Sequence, residues 1–278
     1  MKRLRISAIS YLNTAPLMWD FEHGEAARNF EISYTVPSQC AAALEAGTAD
    51  IGIIPAAAYA SIPRLVILPD VAIASRQPVR SILLVSKVPL EQIRSVALDN
   101  SSLTSVALTK VLFAKWWGGQ ATFYSMQPEL EKMLTSHHAG LLIGDPALKV
   151  DRSRWFTYDL AEEWIRLTGR PFVFAFWAVR AAALENVPPF PDLSSVFQQS
   201  RDHGLVTENV NQIAREWAHR VGLTRDGVKQ YLLENIYYRL DEDCIDGLRL
   251  FYELTEQFGI LRRAPALSFL EAAKPMAQ

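Results

Sequence analysis

The sequence predicts a two-lobed α/β protein. Three observations carry that reading. Short apolar runs alternate with helical patterns through the first 150 or so residues, the alternation restarts about ninety residues in, and the chain turns all-helical after Pro188-Pro189-Phe190-Pro191.

The first run, Leu4–Ile9, reads as a buried strand. It stops in the polar turn Ser10-Tyr11-Leu12-Asn13-Thr14, and Pro16 suits the first turn of a following helix. A strand that hands over to a helix leaves backbone N–H groups pointing out of the helix start. At the carboxyl end of a strand, with amide and hydroxyl side chains alongside, that is a place to hold an anion. Glu31–Val36 alternates as a strand. Pro37–Ala46 is an alanine-rich helix with Pro37 or Ser38 near its start and Gly47 at its end. Asp50–Ile54 is a short buried strand before Pro55 and another helix start. Leu65–Leu68 and Val71–Ala74 read as two further strands, and Ser81–Ser86 as an apolar one.

The second unit repeats this order. Ser95–Leu98 is a strand and Asp99-Asn100-Ser101-Ser102 a polar turn. A helix from Thr104 runs through Val106, Leu108, Val111 and Leu112 towards Trp116. Ala121–Tyr124 is a strand, Pro128–Leu134 a helix, and Ala139–Ile143 a buried strand before Gly144-Asp145-Pro146. Thr14 and Thr104 each follow a strand and turn, Leu44 and Leu134 each close a helix before a buried strand, and each pair is 90 residues apart.

Phe172–Val179 (FVFAFWAV) reads as a central strand returning between the units. In the helical remainder, Val210, Ile213, Ala214, Trp217 and Val221 share one face behind Thr207 as N-cap. Ile245, Leu248, Tyr252, Thr255 and Phe258 form a second stripe ended by Gly259. Both stripes read as core. Lobe one is then residues 1–82 with 176–278, and lobe two is 83–175. The chain crosses near Ser81–Lys87 and Arg170–Trp177, which places a ligand in a hinged cleft.

Composition narrows the function. The 278 residues carry a net charge of −2, so no basic field collects nucleic acid, and an anionic substrate must be held by local donors. Cys40 and Cys244 match no metal spacing and read as buried thiols. His137-His138, in a turn, is the only histidine cluster. The apolar part of MKRLRISAI is too short for a signal peptide, and no run spans a bilayer, so a cytoplasmic protein without a membrane partner is expected. No feature points to an oligomeric state.

The patterns GxSxG, HExxH, CxxC, a P-loop and GxGxxG after a strand are all missing, and no metal or cofactor is expected. Serine, threonine and asparagine at strand ends point instead to a polar or anionic small molecule. Asn13 and Thr14 are the first candidates. Ser101, Ser102, Thr104 and Ser105 put four hydroxyls around one helix start, one to cap and the others to face a carboxylate. Arg76 and Arg80 flank a crossover segment and are able to pair with carboxylates. Ser81 sits at the crossover, facing the cleft. Asp145 starts a helix, as an N-cap or as a partner for a substrate hydroxyl.

Taken together, SYLNTAPL, ADIGIIP, PVRSILLVSKVPLEQI, ALDNSSLTSVAL, LLIGDPAL and EEWIRLTGRPFVFAFWA resemble, in order, the chorismate dehydratase family of the futalosine route to menaquinone. The resemblance runs from about Arg5 to Ala178; the C-terminal helices match by position. It implies the type II periplasmic-binding-protein fold and a reaction that removes water from chorismate to give 3-[(1-carboxyvinyl)oxy]benzoate. It also implies that Asn13 and Ser81 belong to the catalytic site and that Ser101–Ser105 form its hydroxyl-rich turn. Leu103 departs from the arginine expected in many relatives.

Such chemistry asks little of the protein. The hydrogen on the ether-bearing carbon is acidified through the conjugated ring carboxylate, and loss of the neighbouring hydroxyl completes an aromatic ring. With no histidine at a strand end, the substrate's own enolpyruvyl carboxylate serves as the expected base in an E1cB-like course. Rival readings are a transporter's solute-binding protein, the related dihydroxynaphthoate synthase of the same route, and a ligand-sensing domain.

Overall fold

The computed structural model describes residues 3–118, 120–185 and 193–271; nothing is said of the side chains of residues 25 and 27, and the Pro188–Pro191 segment lies outside the described residues. Its strands are β1 (Leu4–Ile9), β2 (Phe30–Thr35), β3 (Ile51–Pro55), β4 (Leu65–Ser75), β5 (Ile82–Ser86), β6 (Ser95–Asp99), β7 (Thr122–Met126), β8 (Ala139–Ile143), β9 (Phe156–Asp159) and β10 (Phe172–Arg180). They form two five-stranded sheets, ordered β2-β1-β3-β10-β4 and β7-β6-β8-β5-β9.

The sheets have the same plan. In each, three parallel strands (β2, β1, β3; β7, β6, β8) are followed by one antiparallel strand, β10 or β5. β6, β7 and β8 start 91, 92 and 88 residues after β1, β2 and β3, which keeps the ninety-residue register to within two residues (4 to 95, 30 to 122, 51 to 139). The inner strands β3, β5 and β8 are buried throughout, as their unbroken apolar runs require.

Several elements differ from the sequence reading. The two strands expected between Leu65 and Ala74 are one edge strand. The ladder jumps from Phe176–Ala72 to Ala178–Ile67, and Asp70 takes a positive φ of 59° inside the bulge. An edge strand accommodates Pro69 there. β9 has no counterpart in the prediction; it pairs with β5 at the sheet edge, is only four residues long and half-buried, so it carries little apolar signal. The cap of the helix Thr207–Val221 is Val206, without a side-chain bond, and Thr207 is the first helical residue. The expected lobe cuts after residues 82 and 175 fall inside β5 and β10. A strand stays with the sheet whose ladder it completes, so the chain passes across between Ser75 and Ile82 and returns between Asp159 and Phe172.

The C-terminal helices position the first turn of the chain. The helix Leu193–Gly204 packs so closely on the 3₁₀ turn Leu12–Met18 that a Cβ on Gly204 would collide with the Pro16 carbonyl. Ser200 Oγ donates to Leu17 O at 2.9 Å and accepts from Asp20 N at 3.0 Å. Cys40 and Cys244 are free, buried thiols. Among the described residues no helix is long and apolar enough to cross a membrane.

Candidate active site

A cavity of about 50 Å³ lies between the two lobes. Tyr11, Asn13, Pro55, Phe174 and Ala175 line it from the first lobe, and Ser102, Thr104, Ser105, Ile143 and Gly144 from the second. A second cavity of about 140 Å³ lies behind Tyr11, lined by Thr14, Glu22, Tyr34, Trp217 and Arg220; the Arg220 guanidinium stacks 3.9 Å over the Trp217 ring. Tyr11 borders both. Its ring lies flat against Gly144, where a Cβ would stand 2.6 Å from it and where φ is +63°. Glycine at 144 therefore serves both the backbone and the packing.

The first turn does not present a vacant anion site. It is a 3₁₀ segment with Pro16 inside, and its leading amide, Leu12 N, already donates to Asp145 Oδ1 across the cleft at 3.0 Å. The anion at this turn is thus the chain's own carboxylate. Asp145 is not an N-cap, since Gly144 holds that position, and it braces the lobes instead of lining the main cavity. Burial raises its pKa from the ordinary 3.8, with the Leu12 amide, Arg220 and Lys149 pulling the other way.

At the second turn none of the four hydroxyls caps the helix Thr104–Leu112; Leu103 is the N-cap and makes no side-chain bond. Ser101 donates to Asp99 Oδ1 at 2.6 Å, and its carbonyl accepts from Ser38 N in the other lobe. Thr104 Oγ1 donates to Phe174 O at 3.0 Å and accepts from Ala57 N at 3.1 Å, both across the cleft. Ser102 and Ser105 remain on the cavity wall beside the uncapped helix start, whose first amides have no intrahelical partner. Leu103 is 38% exposed.

Asn13 is on the cavity wall, and Thr14 Oγ1 donates to its Oδ1 at 3.4 Å while lining the second cavity. Ser81 lies deeper, fully buried, and its Oγ accepts from the Tyr231 hydroxyl at 2.8 Å. The backbone around Ser81 is held from both sides. Gly144 N donates to Ser81 O, and Asp159 accepts from Val79 N and Arg80 N, where Arg80 takes φ +64°. Asp159 also caps the helix Leu160–Thr168. Arg76 is turned away, paired with Asp241 and Asp243.

Tyr11, Asp99, Asp159 and Tyr231 were not among the predicted site residues. Tyr11 stands inside the opening motif and was legible there. Asp159 is legible only as the cap of the helix that follows it, and its bond to Val79, 80 residues away, is not; Tyr231 has no local signal, because its partner is 150 residues away in the chain. Burial raises the pKa of Tyr11, partly offset by the Ser101 hydroxyl, so its O–H is retained as a donor.

Fold and site define a two-lobed α/β protein with a cavity between its lobes, bordered by hydroxyl, amide and phenol side chains. It has the periplasmic-binding-protein fold: a structural-genomics crystal structure from Archaeoglobus fulgidus matches with TM-score 0.73 and 16% identity, covering 93% of this chain and 98% of that one. The periplasmic aliphatic sulphonate binding protein of Escherichia coli matches with TM-score 0.65 and 15% identity over 100% and 96%. The chain belongs to the family described as menaquinone biosynthesis, which matches residues 4–257. It is also 30% identical over 261 residues to the chorismate dehydratase of Thermus thermophilus, covering 87% of this chain and 92% of that protein.

Proposed function

We propose that this chain is a hydro-lyase that dehydrates chorismate to 3-[(1-carboxyvinyl)oxy]benzoate. The carrying observation is the 30% identity to a chorismate dehydratase along nearly the whole of both chains. The cavity supports it. Its lining offers hydroxyls, an amide and a phenol around an uncapped helix start.

Ser102, Ser105 and the first amides of the helix Thr104–Leu112 hold the ring carboxylate, where the helix dipole favours negative charge. No histidine, aspartate or glutamate is on the cavity wall among the described residues. The enolpyruvyl carboxylate is then the base. It takes the proton from the ether-bearing carbon, and the electron pair moves into the ring carboxylate system. The neighbouring C–O bond breaks, and the hydroxide leaves with that proton as water. Asn13 orients the enolpyruvyl arm and Ser81 assists the departing hydroxyl. Thr14 and Ser101 act by placing Asn13 and Tyr11, and Asp145 by bracing the lobes around them.

The test is to mix purified protein with chorismate and follow loss of one water by mass together with a benzoate-type absorption. N13A and S81A should each lower kcat/KM by about 10²-fold, the scale for removing one polar group that acts on developing charge. Chorismate bound but returned unchanged would identify a binding protein instead, and full kcat/KM in both variants would remove Asn13 and Ser81 from the mechanism.

A further inference from the structure

One buried phenol, set against Ser81, has no part in the reaction as written. Tyr231 opens the wide helical turn Tyr231–Asn235 in the C-terminal part of the chain and is 1% exposed. Turns of this kind recur at functional sites. Its hydroxyl donates to Ser81 Oγ at 2.8 Å, across 150 residues of chain. It thus ties the C-terminal helical part to the catalytic candidate in the inter-lobe passage.

The direction of this bond matters. A phenol is a better donor than an aliphatic hydroxyl, and burial raises the Tyr231 pKa further, so it keeps its proton. The phenol donates to Ser81. The Ser81 oxygen therefore receives a proton from behind and has its own left to give. A lone serine hydroxyl rotates between donor and acceptor roles; this one is held as a donor.

We propose that Tyr231 is a positioning residue for the dehydration, holding the Ser81 hydroxyl so that it presents its O–H to the departing hydroxyl group. The inference rests on the proposed dehydratase function. No further reactant enters: Ser81 lends a hydrogen bond, and the proton that completes the water is the one removed from the ether-bearing carbon.

The test is a mutant cycle in the full-length protein. Y231F keeps the ring and removes only the hydroxyl. It should lower kcat at least tenfold with KM changed less than threefold, and add less than threefold to the loss already present in S81A. If Tyr231 acted on stability alone, Y231F would leave kcat of the folded fraction intact. If it acted independently of Ser81, the two losses would multiply. Either result overturns the proposal. Should Y231F not fold, 3-fluorotyrosine at 231 keeps both ring and hydroxyl but strengthens the donor, and an unchanged kcat would be equally fatal. A wild-type protein that does not convert chorismate sinks the functional reading and the proposal together. A wild type that is active, with S81A impaired and Y231F normal, sinks the proposal alone.

Discussion

Thr104→Val tests how much one hydroxyl contributes to holding the cleft shut. Phe174 lies at the bulge where β10 slips its register against β4 between Val173 and Ala175, and β3 offers Pro55, which has no N–H, opposite Ala175. The Phe174 carbonyl turns to Thr104 Oγ1, which also accepts from Ala57 N; Thr104 is 3% exposed. Valine has nearly the same shape, so packing is preserved while both backbone groups lose their partner. With the lobes shut, each unpaired group costs about 1–3 kcal/mol, or about 2–6 kcal/mol for the pair. With the lobes apart, water satisfies both groups in wild type and variant alike, so the open state is little affected. The closed state is thus disfavoured by up to several kcal/mol, and each 1.4 kcal/mol is about a tenfold shift in the closed-to-open ratio. Because apparent affinity scales with the closed fraction, KM for chorismate should rise at least about fivefold at near-normal kcat. Small-angle scattering should show a larger radius of gyration, and Thr104→Ser should restore both. A T104V protein with unchanged KM and unchanged scattering would refute the reasoning.

Two further outcomes follow from the geometry. Gly204→Ala places a methyl against the Pro16 carbonyl, so the helix Leu193–Gly204 must lift from the Asn13 turn. A loss of about 1–3 kcal/mol is expected, seen as a Tm lower by a few degrees together with reduced kcat/KM; an unchanged Tm would show that the contact is slack. Asp145→Asn keeps the oxygen that accepts from Leu12 N but removes the titration. The folded Asp145 pKa lies above its unfolded value, so the native state binds more protons in the window between them. Wild-type stability relative to D145N is therefore greatest below about pH 4 and falls as pH rises through the folded value. Urea midpoints of both proteins from pH 4 to 7 check the sign, and a difference that grows with pH contradicts it.

The parts of the site that were legible in the sequence are those encoded locally. The strand-to-turn joints at Asn13 and at Ser101–Ser105 are such features, because an apolar run that ends in hydroxyl and amide groups before a helix has one backbone reading. The ninety-residue register was legible for the same reason: each unit repeats the same strand and helix lengths. What those groups do was not legible. Four hydroxyls near a helix start looked like caps and ligands, yet Thr104 bridges the lobes and Ser101 binds Asp99. The Leu12 amide that suited a foreign anion is occupied by Asp145, 133 residues away.

Periodicity and turn chemistry are short-range, so the sequence alone determined the two α/β units, their buried strands, the helical C-terminal part and the polar turns facing a common cleft. A hydrogen bond between Tyr231 and Ser81, a glycine pressed on Pro16 and the boundary strands β5 and β10 depend on how distant segments pack. Only the tertiary structure decided those, because a buried donor takes the acceptor that the fold brings within 3 Å, and nothing in either local sequence specifies which one that will be.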